Sequence, residues 1–252
     1  MIPIDEIVTI LLIFFTYSFA GWVWEMCYEG IMQKKITNRG FLTGPYIPIY
    51  GFGGTIVYYS LNFLENHLLW LFFIGMIFAT ILEYITAVII ENIFKIKLWS
   101  YEGYPLNFQG RISFFASMLW GVISVIDVKY STPFILDKID LINRDVKLIF
   151  VSSISTIFVL DIVFTINSVV NFKERIKNII EIENKLSLIF NKVQETGSVI
   201  TNSKFKDLTK LYKHDSLVIK RIIKAFPNMK FKSKHEQNVL NKIIEYNKKN
   251  KK

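Results

Sequence analysis

Long apolar runs separated by short polar loops fill the first 170 positions of the chain. A helix needs about 20 mainly apolar residues to cross the hydrocarbon core of a bilayer, and five stretches approach that length, at about 7–28, 45–64, 68–94, 111–128 and 147–170. The third is the longest and the second the least uniform. Pro48, Gly51, Gly53 and Gly54 crowd the start of the second, which predicts irregular backbone there, shielded by neighbouring helices, and close helix contact at the glycines. Beyond residue 170 the pattern changes. Phe172, Ile176, Ile179, Leu186, Phe190 and Val193 recur at spacings of three and four, with Glu183 filling a heptad place, and predict an amphipathic helix. Thr196-Gly-Ser198 ends it, a second helix is expected over 205–226, and Pro227-Asn228 turns the chain. Ser233 with Glu236 forms a capping box that opens a third helix through Val239, Leu240, Ile243 and Ile244. The expected fold is all-α: a polytopic helical membrane protein with about five transmembrane helices in residues 1–170, and a helical tail, 171–252, built as a small module or a dimerising coiled-coil stalk.

Composition supports the membrane assignment, with 52% hydrophobic and 15% aromatic residues and a mean hydropathy of +0.34. The net charge of +9 is unevenly spread. Residues 1–170 hold 10 basic against 13 acidic side chains, and the tail holds 20 against 8. An oily body with a basic appendage excludes a uniformly basic nucleic-acid binder. The tail's lysines suit anionic lipid head groups. One cysteine, Cys27, excludes an internal disulfide, and His67, His214 and His235 lack metal-site spacing. No catalytic residue, metal or cofactor is expected. Gly-Phe-Gly-Gly at 51–54 lacks the Lys-Ser/Thr of a phosphate-binding loop, so ATP-driven work would require a separate ATPase subunit. No Lys or Arg precedes Lys34 and no cleavage pattern follows the first apolar run, so that run is expected to be retained as a span.

Basic residues in short loops set orientation. Lys34, Lys35 and Arg39 follow span one, none follows span two, and Lys95, Lys97 and Arg111 follow span three. Lys129, Lys138, Arg144 and Lys147 after span four break the alternation, but the tail outweighs them. The expectation is a multi-pass protein of the cell membrane with its N-terminus outside and its C-terminus cytoplasmic. Within the spans or at their inner ends stand Glu25, Glu29, Glu83, Glu91 and Asp161, and intramembrane ionisable groups face a bundle interior or a wet cavity. Glu29 and Glu91 sit near the boundary and are expected to snorkel to water. Glu25 and Glu83 lie deeper, where Arg39 and Arg111 can pair with them. Asp161 reads equally as helix-packing glue or as a functional group. The tryptophans 22, 24, 70, 99 and 120 fit an interfacial aromatic belt, with Trp99 the exception worth testing.

The loops also carry a family pattern: Tyr17-Ser-Phe-Ala-Gly-Trp22 with Glu25, then Asn38-Arg-Gly-Phe-Leu-Thr-Gly-Pro45 running into Pro48-Ile-Tyr-Gly51, Glu83-Tyr84, Trp99-Ser-Tyr101 and Asn107-Phe-Gln-Gly-Arg-Ile112. Over about residues 10–130 the chain resembles the bacterial family labelled putative ABC-transporter permease, type IV (CmpB-like). Ala-Phe-Pro at 225–227, after Arg221, is similar to the ending of longer members. Ser100 departs from the pattern, which has an acidic residue between the Trp and the Tyr, and Glu102 is placed to compensate. The resemblance implies an integral membrane protein of low-GC Gram-positive bacteria.

Physically, Gly44-Pro45 starts span two and holds Arg39 back toward the bilayer surface, while Asn107, Gly110 and Arg111 place an amide and a guanidinium at the start of span four. The candidate polar cluster is Glu25, Asn38, Arg39, Glu83, Trp99, Asn107 and Arg111. The first expected function is a permease or transport component with a polar pocket in the cytoplasmic half of the bilayer, handling an anionic or amphiphilic substrate, alongside a separate ATPase or as a homo-oligomer. The alternative is a non-transporting membrane scaffold or sensor whose basic tail recruits partners. A membrane-embedded enzyme ranks last, for want of a nucleophile or metal motif.

Overall fold

The computed structural model describes residues 3–34, 38–196, 217–226, 229–231 and 233–249. The chain runs through α1 (Ile4–Gln33), α2 (Pro48–Leu61) with a 3-10 turn at Asn62–Leu64, α3 (Leu68–Phe94), short strands β1 (Ile96–Lys97), β2 (Asn107–Phe108) and β3 (Ile112–Ser113), and α4 (Phe114–Ile126). A π-helical turn, Asp127–Ser131, leads into α5 (Thr132–Asp140). Then come α6 (Arg144–Thr196), α7 (Leu217–Ala225), β4 (Lys230–Phe231) and α8 (Lys234–Lys249). The architecture is all-α, as the hydrophobic pattern predicts.

Among the described residues four helices are long and apolar enough to cross a membrane: Ile4–Ile31, Leu68–Phe94, Phe114–Asp140 and Arg144–Ile182. The expected count of about five thus resolves into these four and a shorter helix, because α2 has only 14 residues, about 21 Å at 1.5 Å per residue. Its irregular backbone lies before Pro48 rather than among the glycines. Those glycines instead let α1 and α2 approach: a Cβ on Gly51 would lie 2.6 Å from the Phe14 carbonyl oxygen and collide with Ser18, and one on Gly54 would lie 2.5 Å from the Tyr17 ring.

The fourth span also differs from its expected limits, beginning at Phe114 and continuing through 128 to Asp140. Lys129 and Lys138 are therefore helical rather than loop residues. Pro133 lacks an amide hydrogen, and just before it the Thr132 N–H bonds to the Asp127 carbonyl, five residues back, the wider turn that lets the helix pass a proline.

α3 shows how such a helix divides its faces. Phe73, Ile77, Ile81, Ile85, Ile89 and Ile93, spaced by four, are exposed, as a stripe facing lipid should be. Gly75, Glu83, Ala87 and Glu91 are buried against the other elements. Small and polar side chains thus make the helix contacts and bulky aliphatic ones meet the acyl chains.

α6 continues without a break past residue 170 to Thr196. Its Phe172, Ile176 and Ile179, the first of the predicted amphipathic positions, pack with Ile219 and Ile222 of α7, Val239, Leu240 and Ile243 of α8, and Phe94, Ile96 and Leu98 from the end of α3 and beyond. The side chains of Leu186, Phe190 and Val193, the break at 197–198 and the first part of the predicted second helix, to 216, lie outside the described residues, as does the Pro227-Asn228 turn. Antiparallel pairing of β1 with β4, Ile96 opposite Phe231, ties the tail to the loop after α3.

Candidate functional site

Two helical hairpins carry the polar residues, and each has a connecting loop that returns alongside its first helix. The Ile47 amide bonds to the Ser18 carbonyl at 2.9 Å, so α2 begins beside residue 18 although α1 continues to Gln33. Those 15 residues correspond to about 22 Å of helix. In the second hairpin Thr80 bonds to Ser117 at 2.8 Å and Glu83 to Trp120 at 3.0 Å, so α4 starts well short of the level at which α3 ends.

Irregular backbone beside membrane helices must find partners within the protein, and the conspicuous loop residues supply them. Asn38 Oδ1 accepts from Trp22 Nε1 at 2.9 Å and from the Gly40 amide at 3.1 Å, while its Nδ2 donates to the Thr43 carbonyl at 3.0 Å. Asp161 of α6 accepts from the amides of Thr43 and Gly44, at 3.0 and 2.7 Å, and from the Tyr46 hydroxyl at 2.7 Å. In the second loop Trp99 Nε1 donates to the Arg111 carbonyl at 3.0 Å, and Asn107 bridges the Gly110 amide and the Tyr104 carbonyl at 3.0 and 2.7 Å. Asn38, Trp99, Asn107 and Asp161 thus hold the loops in shape.

The two arginines are held by boundary carboxylates. Arg39 Nη1 lies 3.0 Å from Glu29 Oε1, and its Nε lies 3.7 Å from Glu25 Oε2. Arg111 grips Glu91 with a two-pronged contact, Nε at 3.1 Å and Nη2 at 2.7 Å. The expectation that Glu29 and Glu91 snorkel to water is therefore corrected: both are buried, because a returning loop brings a guanidinium to each. Arg111 pairs with Glu91 rather than with Glu25 or Glu83.

Glu83, 15 residues from the start of α3, is 5% exposed. Its Oε1 accepts from the Tyr101 hydroxyl at 2.9 Å and its Oε2 from Trp120 Nε1 at 3.0 Å. Glu25 accepts from the Tyr50 hydroxyl at 2.8 Å, and the Tyr50 and Trp120 rings meet edge to face with centroids 5.7 Å apart. Two glutamates, each held by an aromatic donor, are thereby linked across the hairpins. Trp22 and Trp120 serve as interior donors rather than belt residues, whereas Trp24 and Trp70 are exposed.

A cavity of about 70 Å³ lies between α2, α3 and α4, with Tyr17, Tyr50, Glu83, Trp120, Ser124 and Asp127 in its lining. Of the seven residues chosen from the sequence, only Glu83 lines it. Glu25 reaches it through Tyr50, while Arg39 and Arg111 are engaged by their glutamates outside it. Asp127, at the start of the π-helical turn, lies within the expected limits of span four but is not one of the seven. The signal was present: a carboxylate in an apolar run, six residues before a proline.

The tail completes the loop structure. Arg221 of α7 donates to the Gly40 carbonyl and, at 2.7 Å, to the Phe41 carbonyl, and burial pushes its guanidinium pKa down. Arg39 Nη1 in turn donates to the Ala225 carbonyl at 2.6 Å and stacks over Phe226 at 5.7 Å. Lys230 and Lys97 lie 2.7 and 3.2 Å from the two oxygens of Glu102 and hold that carboxyl below its ordinary range.

No curated protein and no solved structure matches the chain. The pattern over residues 10–130 extends further than its loop motifs suggested, because the model of the family described as "Putative ABC-transporter type IV" matches residues 12–166, from α1 through the first half of α6. The chain belongs to that family.

Proposed function

We propose that the protein is a membrane transport component whose working part is the cavity that begins beside Glu83, at the level the two loops reach, and extends along α4 to Asp127. The observation that carries this reading is Glu83 itself: a buried carboxylate in the middle of a long apolar helix, facing a cavity rather than a basic side chain. Burying such a group in hydrocarbon is costly unless its surroundings use it. In this reading the N-terminus is outside and the tail cytoplasmic, with the transmembrane unit ending near residue 170. The tail, clamped to both loops through Arg221 and the β1–β4 pair, is placed to pass motion between the cavity and a separate ATPase subunit. Its lysine content suits contact with anionic head groups. The seven polar residues divide their work, with Glu83 at the cavity, Glu25 reaching it through Tyr50, and Asn38, Arg39, Trp99, Asn107 and Arg111 positioning the loops around it.

The test is Glu83→Gln in the native host, with expression and insertion controlled, scored by whole-cell lipid and metabolite profiles. The reading expects the profile of the null strain. A wild-type profile from a properly inserted Glu83→Gln chain overturns it.

The scaffold reading draws on one observation, the apolar core that the tail builds with the end of α3 and the loop after it. It expects Glu83→Gln to be silent and Arg221→Ala, which loosens the tail from the first loop, to reproduce the null strain.

A further inference from the structure

The cavity contains a second carboxylate, and its hydrogen bonding is incomplete. Asp127 is 4% exposed. Its Oδ1 accepts from the Tyr17 hydroxyl and from Thr132 Oγ1, both at 2.6 Å. Its Oδ2 has no hydrogen-bond partner among the described residues. Glu83 differs, since each of its oxygens accepts from a donor.

The two carboxylates mark opposite ends of one space. Glu83 is bonded to Trp120, and Asp127 lies seven residues further along the helix, about 10 Å at 1.5 Å per residue. The cavity lining includes no Lys, Arg or His. Arg39 and Arg111 are held by Glu29 and Glu91. Two carboxyl groups buried together in a membrane bundle must either hold protons or be balanced by a positive charge between them, because an uncompensated buried charge is costly. A π-helical turn at Asp127 adds to the case, since such turns concentrate at functional positions.

We propose that this cavity binds a small, singly charged cation, with Asp127 Oδ2 as its ligand and Glu83 as the counter-charge at the far end. A divalent ion is disfavoured: no group of three acidic, histidine or cysteine ligands exists among the described residues. A single charge among Tyr17, Tyr50 and Trp120 suits either an alkali ion or a small alkylammonium, whose charge the aromatic rings also attract. The proposal inverts the sign of the anionic substrate that the loop arginines suggest.

The inference rests on taking the cavity as part of the transport path, and its test is independent of that reading. The purified full-length chain in detergent is titrated with sodium, potassium and methylammonium chlorides at constant ionic strength, with N-methylglucamine as the balancing cation, and followed by calorimetry and thermal unfolding at pH 6 and pH 8. One of the three cations is expected to bind saturably, and at one hundred times its Kd it raises the ratio of folded to unfolded chain about a hundredfold. An alkali ion or methylammonium as the active species identifies the source. Asp127→Asn is expected to abolish the effect and Glu83→Gln to weaken it at least tenfold.

Titration of the wild-type chain alone decides the matter if the variants do not fold. Absence of heat and of stabilisation with all three cations overturns the proposal. So does an effect that persists unchanged in Asp127→Asn, or stabilisation by acid alone, which would mean that a proton occupies Asp127. A chain that binds the cation while Glu83→Gln keeps the wild-type cellular profile retains the site and loses the transport reading. The reverse result retains transport and loses the cation.

Discussion

Arg39 is the residue at which helix, loop and tail meet, and replacing it with alanine measures how far each depends on the others. The change removes the 3.0 Å contact to Glu29 and the 2.6 Å bond to the Ala225 carbonyl. The Glu29 side chain is 10% exposed and that of Arg39 is 21% exposed. Breaking a fully buried pair costs about 3–5 kcal/mol, and water at Arg39 screens part of that. With the lost charge-assisted bond to Ala225 added, about 3 kcal/mol is expected. In a chain of this size each kcal/mol moves the unfolding midpoint by about 2–4 °C, so a fall of about 6–12 °C follows.

Arg39→Lys keeps a charge near Glu29 but lacks the rigid fork that reaches a carboxylate and a carbonyl together, and about half the loss is expected. Thermal unfolding of the purified chain gives the midpoint. Hydrogen exchange over 221–226 reports whether the tail has loosened. Arg144→Ala is the control, because its pair with Asp5 joins side chains 59% and 61% exposed and should leave the midpoint where it was. Should Arg39→Ala shift the midpoint no more than Arg144→Ala, the Arg39 contact behaves as a solvated pair and the account of a buried clamp is wrong.

Gly75→Ala brings a Cβ to 2.6 Å from Ser124 Oγ and into contact with Ser124 Cβ, and such overpacking costs about 1–3 kcal/mol. Ser124→Gly should restore stability, and Gly53→Ala, whose nearest neighbour is Leu82 at 3.7 Å, should be neutral in the same melt. Trp120→Phe removes the donor to Glu83 Oε2 at 3.0 Å and should cost about 1–3 kcal/mol; an unchanged midpoint would mean that Glu83 does not depend on that bond. The Glu102 contact with Lys97 and Lys230 depends on pH. A carboxyl held below its ordinary pKa by two lysines contributes above the unfolded value, and that contribution is lost as pH falls through the folded one. Protease sensitivity of the tail should therefore rise below the usual carboxylate range, and Glu102→Gln should show that sensitivity already at neutral pH.

The hairpin loops show how much residue type can carry. Asn38, Trp99 and Asn107 are side chains with polar atoms directed at backbone, and the structure uses them to satisfy loops that return beside membrane helices. The cavity shows the limit. Its lining comes from α1, α2, α3 and α4, and nothing in the local pattern around Asp127 or Tyr50 says that they meet. The same limit explains the partners of Arg111, since Glu83 and Glu91 are eight residues apart on α3 and the choice between them depends on how far the second loop descends.

The sequence by itself determined that the chain is a helical membrane protein, roughly where its long apolar helices lie, that its glycines are contact points and that basic residues collect after position 170. Each of these follows from transfer free energy and periodicity, which are properties of a stretch of chain. Only the tertiary structure decided that the second span is short, that the fourth passes through a π-helical turn, that Arg39 and Arg111 are held by Glu29 and Glu91, and that Glu83 shares its cavity with Asp127. These depend on the level at which one helix stops beside another, and an offset of a few residues changes every side chain that a buried charge can reach.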